Sequence, residues 1–152
     1  MPAASYLAVF RRTLELLGED AAAATAGIEL PMEPQWGDLS DKLGGAKPNP
    51  YVAESLQNAS NDIRVVAGHT DLSTPLGSTW QKLQNDAAPI DKTYLLLGDS
   101  HSSIFSGKKL NYLFAGAYAG GYFHWNPCAV RAEVDPVETD CIIMEISSRF
   151  TI

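Results

Sequence analysis

Thr93-Tyr94-Leu95-Leu96-Leu97-Gly98-Asp99-Ser100-His101-Ser102 is the stretch on which the reading of this chain turns. Its opening residues form a nearly continuous apolar run, as expected of a strand buried on both faces. Gly98 permits a tight exit from that strand, and Asp99 can hydrogen-bond the turn. The dozen or so residues between Gly98 and Tyr112 can form a helix, enough for a right-handed crossover to a parallel neighbour. Ligands of open α/β sheets bind beyond the carboxyl ends of the strands, so Ser100 stands where a nucleophile is useful. The first N–H groups of the following helix would face a developing oxyanion. A purely structural role for the same tripeptide is a helix N-cap at Asp99 or Ser100.

Working outward, Ile63 to Ala67, Tyr112 to Ala119 and Cys141 to Ile146 supply three further strand candidates. Ala129 to Glu138 offers the next connection, with Pro136 limiting any helix there. Strands alternating with helical connections predict a mostly parallel sheet in an α/β domain. The first twenty residues predict an amphipathic helix: Ser5 can cap it, Tyr6, Phe10, Leu14 and Leu17 recur at helical spacing, and Gly18 can stop it. Glu19 to Ala26 either extends that helix or starts another. From Gly27 to Asn61, prolines and glycines predict an irregular segment, with Trp36 in Trp36-Gly37-Asp38-Leu39 as an anchor that either docks a ligand or plugs the core.

Composition narrows the function classes. With 152 residues, 45% of them hydrophobic and 19% charged, the chain suits one globular domain rather than a disordered acidic tail. Eleven Lys and Arg against 18 Asp and Glu, net −7, disfavour nucleic acid as the main partner. Two cysteines, Cys128 and Cys141, make neither a disulfide scaffold nor a four-cysteine zinc site; they are reduced core residues or a single bridge. No signal peptide precedes the first helix, and no window of 18 uninterrupted apolar residues predicts a membrane span.

Leu-Leu-Gly-Asp-Ser-His-Ser resembles the nucleophile block of the SGNH (GDSL-like) hydrolase superfamily. The N-terminal amphipathic helix, Gly37-Asp38-Leu39, the Gly-Asp-Ser strand and the later Ile143-Met144-Glu145-Ile146-Ser147-Ser148-Arg149 follow in an order similar to the SGNH-like domain of alginate and cell-wall polysaccharide O-acetyltransferases. The resemblance implies a flavodoxin-like three-layer α/β/α fold, with an acetyl group taken by a serine and passed to a sugar hydroxyl or to water. Carried over by position, Ser100 is the nucleophile, Asp99 the structural aspartate of its block, and Gly116, Gly120 or Gly121 the source of a second oxyanion N–H. The Asp-x-His that carries base and orienting acid in this branch, expected before the first helix, is absent, as is the Asp-x-x-His usual near the C-terminus. No asparagine follows the Cys141–Ile146 strand, where a third oxyanion donor is expected. The chain therefore looks like the C-terminal part of such a domain, an incomplete version of the fold.

A serine nucleophile needs a base within hydrogen-bond reach. His101 follows Ser100 directly; His124, in Phe-His-Trp-Asn-Pro, follows the Tyr112–Ala119 strand candidate; His69, in Gly-His-Thr-Asp, has Asp71 nearby to orient its ring. Each also has a structural reading, and the choice stays open. His69, Asp71 and His124 match no zinc spacing, so neither a metal nor another cofactor is expected. Asn58-Ala59-Ser60 matches the glycosylation sequon. Arg149 either pairs with a substrate carboxylate or acyl oxygen, or forms an ion pair with Glu145.

The expected function is a serine acyl-ester hydrolase or polysaccharide O-acetyltransferase acting on an acetyl ester or acetylated carbohydrate. The alternative is a catalytically inactive SGNH-like remnant that binds carbohydrate or a partner chain. A homo-oligomer or partner chain that completes the site is a third arrangement. As it stands the chain reads as cytoplasmic, and as periplasmic if it is a fragment of an exported acetyltransferase.

Overall fold

The computed structural model describes residues 3–35, 51–60, 62–71, 78–98, 109–125 and 138–145, with backbone alone at 35, 51, 71 and 78. Helix α1 (Ala3–Leu16) presents Tyr6, Leu7, Phe10 and Leu14 to the core. Ser5 lies inside its first turn rather than at the cap. Gly18 ends it at φ +76°: its N–H bonds Glu15 O at 3.1 Å, and the Glu19 N–H bonds Leu14 O at 2.9 Å. That is a Schellman closure, which needs a left-handed residue glycine adopts freely. A separate short helix α2 (Ala21–Thr25) follows, its Ala23 N–H bonded to the Asp20 carboxylate at 2.9 Å.

The segment expected to be irregular contains an antiparallel pair, β1 (Met32–Gln35) with β2 (Tyr51–Glu54), in which Met32 faces Glu54. Trp36 lies outside the described residues.

The main sheet comprises β3 (Arg64–Asp71), β4 (Ser78–Gln84), β5 (Ile90–Gly98), β6 (Tyr118–Trp125) and β7 (Cys141–Met144), in the order β3-β4-β6-β5-β7. β6-β5 and β5-β7 are parallel; β3-β4 and β4-β6 are antiparallel. The sheet is thus mixed, where a mostly parallel one was expected, because β4 intervenes as a strand the sequence pattern hides. Thr79, Gln81 and Leu83 are its buried alternation, and two of the three are polar.

The expected strand Tyr112–Ala119 is also corrected. Helix α3 (Leu110–Ala117) occupies most of it, and β6 starts at Tyr118 with no intervening loop. Leu110, Leu113, Phe114 and Ala117 are buried at 3.6-residue spacing, but short apolar runs do not by themselves separate helix from buried strand.

Cross-strand partners share a face. One face carries Tyr94, Leu96, Phe123 and Leu83 and is covered by α3 and α1. The Phe10 ring meets Phe114 edge-on at 4.9 Å, and Tyr94 packs on Phe114 at 5.5 Å while donating to Asn111 Oδ1 at 2.7 Å. The opposite face carries Leu95, Leu97, Tyr122 and His124, with Ile142 and Met144 about two-thirds exposed (66% and 65%). Among the described residues no helix packs on that second face.

Asn85 is a buried clasp between the end of β4 and α3. Its Nδ2 donates to Ala115 O at 3.2 Å and Gly116 O at 2.9 Å, and its Oδ1 accepts from the Ala87 N–H at 3.1 Å. No helix among the described residues is long and apolar enough to cross a membrane.

Candidate functional site

The two parallel pairings bring three strand ends together. Gly98 lies beside Trp125, Leu97 beside both His124 and Met144, and the Glu145 N–H bonds Leu97 O at 2.8 Å. Asp99, Ser100 and His101 lie outside the described residues, as do Cys128 and Arg149. Their chain nonetheless continues from this end: Ser100 is three residues beyond Leu97, at most about 11 Å of extended backbone.

His124 is the functional candidate that the register brings closest to that exit. It shares a row on the opposite face with Leu97, one strand spacing away, about 4.8 Å. It is 3% exposed, and its Nε2 has no hydrogen-bond partner among the described residues. Burial lowers its pKa, favouring the neutral imidazole.

His69 falls in the same row, since His69 pairs with Trp80 and Trp80 with His124. Three strand spacings, about 14 Å, separate it from Leu97, and its side chain is exposed on the edge strand. His69 and His124 are two spacings apart, and no group of three His, Cys, Asp or Glu among the described residues could hold a metal ion.

The next row on this face pairs Lys82 with Tyr122. Glu138 accepts from both, at 3.0 Å from Lys82 Nζ and 2.9 Å from the Tyr122 hydroxyl. The Lys82 hydrogen bond, then the Tyr122 one, pulls the Glu138 carboxyl down; the Glu138 hydrogen bond pushes Lys82 up. Nothing in the sequence pattern flagged this trio, because its members come from three separate segments.

The three glycines expected to serve the oxyanion have packing roles. A Cβ on Gly116 would meet Ala59 O at 2.8 Å, one on Gly120 would meet Thr93 Oγ1 at 2.7 Å, and one on Gly121 would strike the Tyr94 ring. Gly121 lies opposite Tyr94, four residues or about 13 Å back along β5 from Gly98. Gly116 is in α3, before β6 begins. None of the three converges on the Gly98 exit.

Cys141 is a free thiol whose pKa burial raises, a combination that suppresses nucleophilicity. The Asn58-Ala59-Ser60 sequon forms a half-buried loop with Asn58 at φ +58°, and its Ala59 N–H donates to the Tyr112 hydroxyl at 3.2 Å.

A groove of about 310 Å³ runs along β3 over residues 65–70, with Trp80 and Gln81 at its side. Comparison of the chain with protein-family models, with curated proteins and with solved structures returned no match.

Proposed function

We propose that the chain is an SGNH-like serine acyl-ester hydrolase or polysaccharide O-acetyltransferase, with Ser100 as nucleophile and His124 as its base. The observation that carries this reading is the His124 imidazole. It is buried, favoured in its neutral form, unpartnered at Nε2 among the described residues, and one strand away from the strand that runs into Gly98-Asp99-Ser100. The register favours it over His69 on distance alone. The three-layer flavodoxin-like arrangement belongs to the same proposal, its third layer covering the Leu95–Leu97 face.

In the proposed reaction, Ser100 Oγ attacks the carbonyl carbon of an acetyl ester while its proton passes to His124 Nε2. The tetrahedral oxyanion collapses, the alkoxide leaves and takes that proton, and an acetyl-serine remains. A sugar hydroxyl or water then attacks the acetyl-serine carbonyl, giving its proton to His124. The second tetrahedral intermediate collapses to the acetylated sugar or acetic acid, and the departing Ser100 Oγ takes that proton back. Backbone N–H groups just after Ser100 are the oxyanion donors in this scheme, in place of Gly116, Gly120 and Gly121.

Hydrolysis of p-nitrophenyl acetate tests it. Ser100→Ala is expected to remove turnover by about 10³-fold or more, and His124→Gln by about 10²–10⁴-fold. A fluorophosphonate should label Ser100 in the wild-type chain and label it slowly in His124→Gln. Unchanged turnover in Ser100→Ala would reject the reading. Absence of labelling in folded protein would favour the non-catalytic remnant that binds carbohydrate or a partner chain.

A further inference from the structure

The groove along β3 is independent of the acyl-transfer reading, and its chemistry differs from that of the strand ends. Among the described residues β3 is the last strand of the sheet, and every side chain described on it is exposed. Six consecutive residues, Val65–Thr70, line the groove with Trp80 and Gln81, so one wall is a strand edge that no described residue pairs. Such an edge presents alternating N–H and C=O groups with no ladder partner. A register irregularity falls between Val65 and Ala67; from Ala67 to Asp71 the strand pairs regularly with Lys82 to Ser78, leaving five straight residues. No proline or lysine guards them.

Two side-chain features sit behind this edge. Gly68 leaves the space beside Gln81 open, because a Cβ there would lie 3.5 Å from Gln81 Cγ and 2.9 Å from Trp80 O. Gln81 is 8% exposed, lines the groove, and its Oε1 has no hydrogen-bond partner among the described residues. A buried acceptor left unpaired is destabilising, and a donor reaching it from the groove would relieve that.

We infer that this edge is a docking site for an extended peptide, which adds to β3 as a sixth strand. A donor-bearing side chain of that peptide would sit over Gly68 and satisfy Gln81. The match lies in hydrogen-bond pattern: a strand edge needs a ligand with donors and acceptors at strand spacing, and Gln81 needs one further donor. A peptide backbone carrying a serine, threonine or asparagine has both, whereas a sugar hydroxyl could satisfy Gln81 but not the ladder.

A random heptapeptide library displayed on phage, selected against the whole chain, provides the probe. The most enriched sequence is then used as a free peptide in amide hydrogen exchange. The expected result is slowed exchange at alternate residues of Ala67–Asp71, enrichment of Ser, Thr or Asn at one position, and about tenfold weaker binding to Ala67→Lys. Ala67 is exposed, so the lysine guards the edge without loading the core. Gln81→Leu should weaken donor-bearing peptides several-fold and leave their alanine analogues unaffected. The inference is overturned if no selected peptide slows exchange in β3. It is equally overturned if a neutral hexasaccharide slows those amides while peptides do not, or if a folded Ala67→Lys binds as the wild type does. The exchange map on the wild-type chain decides the matter even if a variant does not fold.

Discussion

The two halves of the main sheet obey different physics. In the parallel half, β5 lies between β6 and β7 and contributes Tyr94 and Leu96 to a core they share with Phe114, Phe10 and Phe123. In the antiparallel half, β4 buries Thr79 and Gln81 as well as Leu83, and β3 buries none of its described side chains. Stability is concentrated in the first half, and accessible backbone in the second. Strand position alone does not set this: β4 is flanked on both sides yet largely polar, and β7 has a single described neighbour yet is apolar. What separates the halves is that α1 and α3 pack on the Tyr94–Leu96 side, whereas every described side chain of β3 is exposed.

This contrast can be broken or sharpened by substitution. The largest effect is expected from Phe114→Ala, which empties the centre of the aromatic cluster with Phe10, Tyr94 and Tyr118. Urea unfolding should show a loss of about 3–5 kcal/mol. A loss below about 1 kcal/mol would mean that the parallel half is not the core.

Asn85→Ala comes next. It strands the Ala115 and Gly116 carbonyls and the Ala87 N–H behind the clasp. The expected cost is about 1–3 kcal/mol, read in the same titration. If the variant unfolds like the wild type, the Asn85 amide does not stabilise the junction of β4 with the end of α3.

His124 gives a smaller, pH-dependent effect. Its folded pKa is lowered by burial, so the unfolded chain takes up the proton first as pH falls. Its contribution is complete above about pH 6.5, the ordinary histidine value, and is lost as pH drops through the lowered folded value. Thermal midpoints across that window should fall less steeply in His124→Gln. Parallel curves for the two chains would show that the imidazole is not held neutral by the fold.

The smallest effect is expected at Val66→Thr on β3, where the side chain is 45% exposed. Unfolding free energy should move by no more than about 0.5 kcal/mol. A loss comparable to that of Phe114→Ala would place β3 inside the core and remove the contrast.

Three of the five main strands are legible in the sequence, two in the parallel half and one in the antiparallel half. Leu95-Leu96-Leu97-Gly98 marked β5 and its end, Ile63–Ala67 and Cys141–Ile146 marked β3 and β7 to within a few residues, and Gly18 marked the close of α1. β4 was not legible, because its inward positions carry Thr and Gln, whose burial depends on neighbours. α3 was mistaken for a strand, because Tyr112–Ala119 is apolar throughout and suits either period. Of the candidate site, the exit at Gly98 was readable from sequence. That His124 lies beside Leu97 while His69 is three strands away was not, since it depends on which strands are neighbours.

By itself the sequence determined the local events. Apolar runs made strands, helical spacing made α1, and a glycine closed it, because these depend on residues within a turn or a strand of one another. Only the tertiary structure decided that β4 enters antiparallel beside β6, that His124 stands next to Leu97, and that Gly116, Gly120 and Gly121 are closely packed away from the Gly98 exit. Those outcomes depend on which distant segments share a ladder, and strand order is selected by burial summed over the whole core rather than by any single stretch of chain.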